Sequence, residues 1–233
     1  AMKVMQMLLS MSSCLGTVMM PHASNLISEG KDDEFNCLVQ KSYDFTLALS
    51  MPITMGLIMC APHIITVFCG SDFSPSILPS QIVAPIVLMV AISNVLGIQI
   101  LFPKGKINLV TLCCGIGALV DVLLNIVLIP SLSFIGTAIA YLGAEVATTI
   151  SMLFVGRRYI PICYIKKSHL NYVIGCVAMG LGIYGISYLR MPAFPTLAAQ
   201  TICGGIIYMS ILIVGKDSLV EQVLSKIRIK KSS

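Results

Sequence analysis

The sequence predicts an all-α, polytopic integral membrane protein, and three observations carry that prediction. Of 233 residues, 57% are hydrophobic and only 11% charged, with a mean hydropathy of +0.93. A soluble domain carries roughly 45–50% apolar and about 25% charged residues, so a soluble globule is excluded, as is disorder, which needs the opposite balance. The apolar residues gather in seven blocks, each about as long as the ~20 residues a helix needs to cross a bilayer. The basic residues fall almost entirely in alternate connectors between those blocks.

The expected spans are Val4–Ile27, Phe45–Phe68, Ile77–Phe102, Leu109–Ile129, Ile135–Val155, Leu170–Leu189 and Thr196–Val214. Apolar runs of this length in lipid must be helical, because a helix satisfies its own backbone groups there. The first span is the most polar, with Gln6, Ser10, Ser12 and Ser13, and is expected to face protein or a cavity. The second carries Pro52 and Pro62, and the third opens with Pro75, Pro79 and Pro85. Proline removes a backbone donor and bends the helix, which membrane helices tolerate when neighbours re-satisfy the freed carbonyl. Bent helices fit a transporter that rocks between two openings.

In the fourth span Cys114, Ala118, Asp121 and Asn125 recur at helical spacing, placing Asp121 and Asn125 on one face. The fifth has a small stripe, Gly136, Ala140, Ala144 and Thr148, with Glu145 beside it, and the sixth has Gly175, Ala178, Gly182 and Gly185. Such stripes let helices approach closely. A polar group at this depth is costly unless paired or wetted, so Asp121, Asn125, Glu145, Asn94 and Gln99 are the candidates for lining a cavity or for packing between helices. Two readings of Asp121 and Glu145 stay open: a structural hydrogen bond between helices, or a role in ion or proton coupling.

With the C-terminus placed in the cytoplasm, 13 of the 15 basic residues lie in cytoplasmic connectors, which chooses that orientation. Tyr159, Tyr164, Tyr172 and Tyr188 sit near span ends, as interfacial rings do. The tail from Lys216 to Ser233 reads as a short basic amphipathic helix, either drawn to anionic membrane lipids or simply solvated. The net charge of +5 belongs to these loops and implies no nucleic-acid partner. The nine cysteines show no CxxC or Cys/His ligand spacing and read as packing residues. No GxSxG, phosphate-binding glycine loop or HExxH occurs, and the outer connectors are short. No enzyme activity, catalytic residue, metal or cofactor is therefore expected, and His22, His63 and His169, near span ends, read as interfacial. The start Ala1-Met2, inside a helix-like run without a leader, is expected to be a truncated one.

Several motifs are similar to those of one transporter group. Leu15-Gly16-Thr17-Val18-Met19-Met20-Pro21 with Ala23-Ser24 resembles the end of the eighth helix in polysaccharide repeat-unit (Wzx-like) flippases, the capsule and O-antigen exporters of the multidrug/oligosaccharidyl-lipid/polysaccharide (MATE-like) superfamily. Phe68-Cys69-Gly70 with Phe73 looks like an outer-loop signature of that group. Ser93-Asn94-Val95-Leu96-Gly97-Ile98-Gln99-Ile100-Leu101 with Pro103 and Gly105-Lys106 is similar to its Gram-positive capsular members. So are Leu124–Pro130 and Gly136–Ala140 with Glu145. The similarity runs from Ala1 to about Ile160, and the last two helices match only in hydropathy and position.

The resemblance implies helices eight to fourteen of a fourteen-helix protein. Residues 1–155 would form most of the second lobe, 156–169 a basic cytoplasmic connector, 170–215 two extra helices and 216–233 a basic tail. It also implies a flippase in the bacterial cytoplasmic membrane for an undecaprenyl-diphosphate-linked oligosaccharide. Such a chain needs the N-terminal lobe as partner and is expected to be inactive alone. Ala1-Met2-Lys3 resembles an Ala-Asp-Arg segment of the related lipid II flippases, which makes Lys3 the candidate diphosphate contact. Met2 departs from that pattern, and Lys3 lacks the bidentate fork of arginine; a lysine snorkelling at the helix end is the plainer alternative. His22 stands where relatives commonly have arginine. Rival readings are a cation antiporter of the same superfamily, a membrane-embedded enzyme of envelope synthesis, and a remnant of an interrupted gene.

Overall fold

In the computed structural model of the chain, residues 19–163, 166–188 and 192–215 are described. Lys3, most of the first expected span and the tail from Lys216 lie outside the described residues. Those described are helical almost throughout, with six segments long and apolar enough to cross a membrane. Residues 19–28 (α1) lead into α2, Asp32–Cys69. A composite segment follows: a 3₁₀ turn Ser71–Ser76, α3 Ile77–Val83, α4 Ile86–Asn94 and a π-helical run Val95–Leu101. Then come α5 Ile107–Leu132, α6 Phe134–Gly156, α7 Lys167–Ser187 and α8 Ala193–Val214. The all-helical membrane fold expected from the sequence is the fold observed.

Long apolar side chains such as Leu119, Ile126, Val127, Phe154, Leu181 and Ile206 are exposed on the outer faces. Surfaces this apolar need lipid or another protein against them. The interior is centred on α2, which packs on α3, α4, α7 and α8, while α5 and α6 form one close pair and α7 and α8 another. Phe35, Val39, Leu96 and Ile100 are fully buried in the cluster that joins α2 to the π-helical run.

α2 begins thirteen residues before the expected Phe45. The apolar pattern locates where lipid starts, whereas the helix continues outward through a polar stretch opened by Asp32, Asp33 and Glu34. Acidic residues there complement the positive end of the helix dipole. At 1.5 Å per residue its 38 residues reach ~57 Å, well beyond a ~30 Å hydrocarbon core. α2 ends at Gly70, whose φ of 92° explains the glycine in the Phe68-Cys69-Gly70 motif.

The end of the bundle carrying the start of α2 also carries the loops after Leu101 and after Gly156. Lys104 Nζ donates to the Tyr159 carbonyl at 2.9 Å and lies over the Phe35 ring. Burial holds the Lys104 ammonium below the usual lysine range, against the opposing pull of Asp32. Gln40 grips the Cys163 backbone from both sides, accepting its N–H at 2.8 Å and donating to its carbonyl at 3.4 Å. Ile160 and Ile162 insert into the core. Residues 157–163 thus form a strap fastened across the bundle end.

Candidate functional site

α5 and α6 are joined through Ser133 alone, so they lie antiparallel along their whole length. The fifth-span stripe is what lets them approach. A Cβ on Gly136 would stand 2.6 Å from the Leu128 carbonyl oxygen, and one on Gly117 of α5 would stand 3.1 Å from the Ala144 carbonyl oxygen and strike the Thr148 hydroxyl. Where the pair meets α4 and the π-helical run, a cavity of about 520 Å³ opens, lined by Asn94, Gly97, Cys114, Asp121, Tyr141, Glu145 and Thr148 among others. A second cavity of about 610 Å³ continues from it toward α3, sharing Asp121 and Tyr141 and adding Asn125, Thr137 and Ser80.

Four of the residues predicted from sequence therefore come together: Asn94, Asp121 and Glu145 in the first cavity, Asp121 and Asn125 in the second. Asn125 Nδ2 donates to the Asp121 carboxylate at 3.1 Å and to its backbone carbonyl at 2.9 Å. That turn of α5 is thereby closed on itself, and it spaces the pair one helical turn apart on the face the sequence pattern indicates. Asn125 Oδ1 is buried with no donor among the described residues. No ion pair to Asp121 or Glu145 occurs among them either. Two carboxylates at membrane depth without a basic partner can hold a cation or a proton, or be solvated by water in the cavity.

Gln99 is elsewhere. It is buried and accepts a hydrogen bond from the Ser42 hydroxyl of α2, so it serves helix packing, one of the two roles expected of it. His169, at the first turn of α7, is buried against neighbouring helices, 8% exposed. It joins a polar knot that sequence reasoning missed. Asp44 of α2 takes Lys166 Nζ at 2.9 Å, His169 Nε2 at 3.0 Å and Gln40 Nε2 at 2.8 Å. Little in the local sequence announces this, because Asp44 sits at the edge of an apolar run and, Gln40 apart, its partners lie more than 120 residues away. Among the described cysteines none is bonded to another; Cys60 and Cys113 are buried, whereas Cys114 and Cys203 are exposed.

The family sequence model described as "Lipid II flippase MurJ" matches residues 1–202. The chain belongs to the MurJ lipid II flippase family. No curated protein sequence matches it. Of solved structures, "Lipid II flippase MurJ, inward closed conformation" aligns with a TM-score of 0.79 at 17% identity, covering 93% of this chain and 46% of that one. This MurJ-family chain thus has the MurJ fold over about half of that protein's length. The motif series resembles the polysaccharide repeat-unit flippases, whereas the family that matches is described by lipid II flippases.

Proposed function

We propose that this chain forms the second lobe and the last two helices of a flippase for a polyprenyl-diphosphate-linked saccharide, working with a complementary first lobe in the bacterial cytoplasmic membrane. The observation that carries this reading is the family match over residues 1–202. The helical fold supports it, with a polar cavity between α4, the π-helical run and the α5–α6 pair. In this reading the loops at 102–106 and 157–166 and the C-terminus are cytoplasmic, as the distribution of basic residues requires.

Lys3 is the proposed contact for the diphosphate, with one ammonium in place of an arginine fork. Asp121 and Glu145 are proposed as the groups that couple movement to a cation or proton. For the cargo, the family favours the lipid II that its description names. The motif runs around Asn94–Leu101 and Leu124–Pro130 favour a polysaccharide repeat unit instead.

The deciding experiment is co-reconstitution of the chain with a matching first lobe in liposomes, with flipping measured for lipid II and for an undecaprenyl-diphosphate-linked repeat unit. Transport of either one that collapses in Lys3→Ala supports the flippase reading and names the glycan. Transport of neither, or transport indifferent to Lys3→Ala, rejects the diphosphate role. Export of an organic cation by the same vesicles would favour the antiporter.

A further inference from the structure

In an α-helix each N–H returns to the carbonyl four residues earlier, and proline has no N–H to return. In α2 the two carbonyls so deprived belong to Ala48, four residues before Pro52, and Ile58, four before Pro62. Each is met by a side chain from a different helix. The Tyr208 hydroxyl of α8 donates to the Ala48 carbonyl at 2.7 Å, and Gln81 Nε2 of α3 donates to the Ile58 carbonyl at 3.0 Å.

Neither arrangement is incidental to packing. Tyr208 is buried, and α7 makes room for it: a Cβ on Gly175 would stand 2.9 Å from the edge of the ring. A cavity of about 360 Å³ lies beside this bond, lined by Pro52, Gly56, Gln200 and Tyr208 among others, so α2 has open space next to Pro52. An unmet carbonyl in lipid would be costly; two carbonyls met from neighbouring helices tie the shape of α2 to those helices.

We propose that Tyr208 and Gln81 are positioning residues that set the bend of α2, so that the seating of α8 and the shape of α2 form one coupled equilibrium. α2 cannot change its angle at Pro52 without releasing Tyr208, and cannot change it at Pro62 without releasing Gln81. The C-terminal pair is then a brace for α2 and not a passive appendage. This holds whichever glycan the flippase carries.

The test is a pair of double-mutant cycles on the full chain in detergent. Restoring an N–H with Pro52→Ala gives the Ala48 carbonyl its own donor. Tyr208→Phe is expected to lower Tm by about 2–4 °C in the parent chain, the size of one hydrogen bond in a protein of this length, and to leave Tm nearly unchanged in the Pro52→Ala background. Gln81→Met with Pro62→Ala is the independent second cycle and should behave alike. Spin labels at Cys37 and Phe68→Cys, in a background with the other cysteines replaced, should report a broadened α2 end-to-end distance in Tyr208→Phe that narrows again with Pro52→Ala. Equal Tm losses with and without the proline, in whichever cycle folds, would overturn the proposal, as would an unchanged distance distribution.

Discussion

His169 Nε2 meets Asp44 Oδ1 at 3.0 Å, joining the first turn of α7 to the second helix across 125 residues of sequence. The tautomer follows from the other nitrogen. Nδ1 accepts the Lys166 backbone N–H at 3.3 Å, so Nε2 carries the proton and donates to the carboxylate. The imidazole thus caps α7 and anchors it in the same stroke, while Lys166 supplies a cation to Asp44. Asp44→Ala is expected to destabilise the chain by ~1.5–3 kcal/mol, the usual worth of bonds to a charged group. Lys166→Ala, removing a partner whose side chain is 35% exposed, should cost only ~0–1 kcal/mol. Thermal unfolding in detergent ranks the two variants, and faster proteolysis within the 157–163 strap should accompany the first.

The cavity carboxylates give a transport prediction. Asp121→Asn and Glu145→Gln keep size and shape, so both chains should fold with nearly unchanged Tm. Flipping by the reconstituted pair of lobes is expected to fall about tenfold in at least one variant, within the range of a coupling free energy of ~1–3 kcal/mol. Full transport in both would leave these groups a purely structural role.

Ser133 carries φ 51° and ψ −127°, a conformation that suits glycine and strains any residue with a Cβ. Ser133→Gly should therefore stabilise the α5–α6 hairpin by up to ~1 kcal/mol, read as a higher Tm.

Gly136→Ala should act in the opposite sense, because its Cβ would collide with the backbone of Leu128, which cannot swing aside. A loss of ~1–3 kcal/mol is expected, typical of overpacking. Gly185→Ala, where a Cβ meets nothing within 4 Å, is the control and should be neutral or slightly stabilising through helix propensity.

Orientation is testable with a native thiol. Cys163 is exposed on the strap. In intact cells an impermeant maleimide should spare Cys163 and modify Ser131→Cys at the opposite end. The reverse pattern would invert the topology.

What the sequence reveals and conceals here has a physical logic. The six spans found among the described residues, and their order, follow from hydropathy, because lipid imposes the same demand on every residue of a crossing. The face shared by Asp121 and Asn125 was legible for a related reason: helical period converts spacing directly into direction. The small stripe of α6 was legible as a close approach, and Gly136 and Gly117 show where it happens. The start of α2 was not legible, since a helix that leaves the membrane keeps its hydrogen bonds but drops the apolar signal. The Asp44 knot was hidden because its members are ordinary polar residues until the fold brings them together. Prolines announced that carbonyls would be freed; only the packing named Tyr208 and Gln81 as their donors.

The π-helical run Val95–Leu101 has one more consequence. A wider coil stores a surplus residue, and each residue of an ordinary helix turns the chain by ~100°. Deleting any single position in that run would let it rewind tightly, with Gln99 moored to Ser42 and everything before it swivelled, carrying Asn94 off the chamber it now borders. The place of Asn94 on the chamber wall therefore hangs on a count of residues, and a frame-preserving loss of one codon there would displace it where most point substitutions in the run would not.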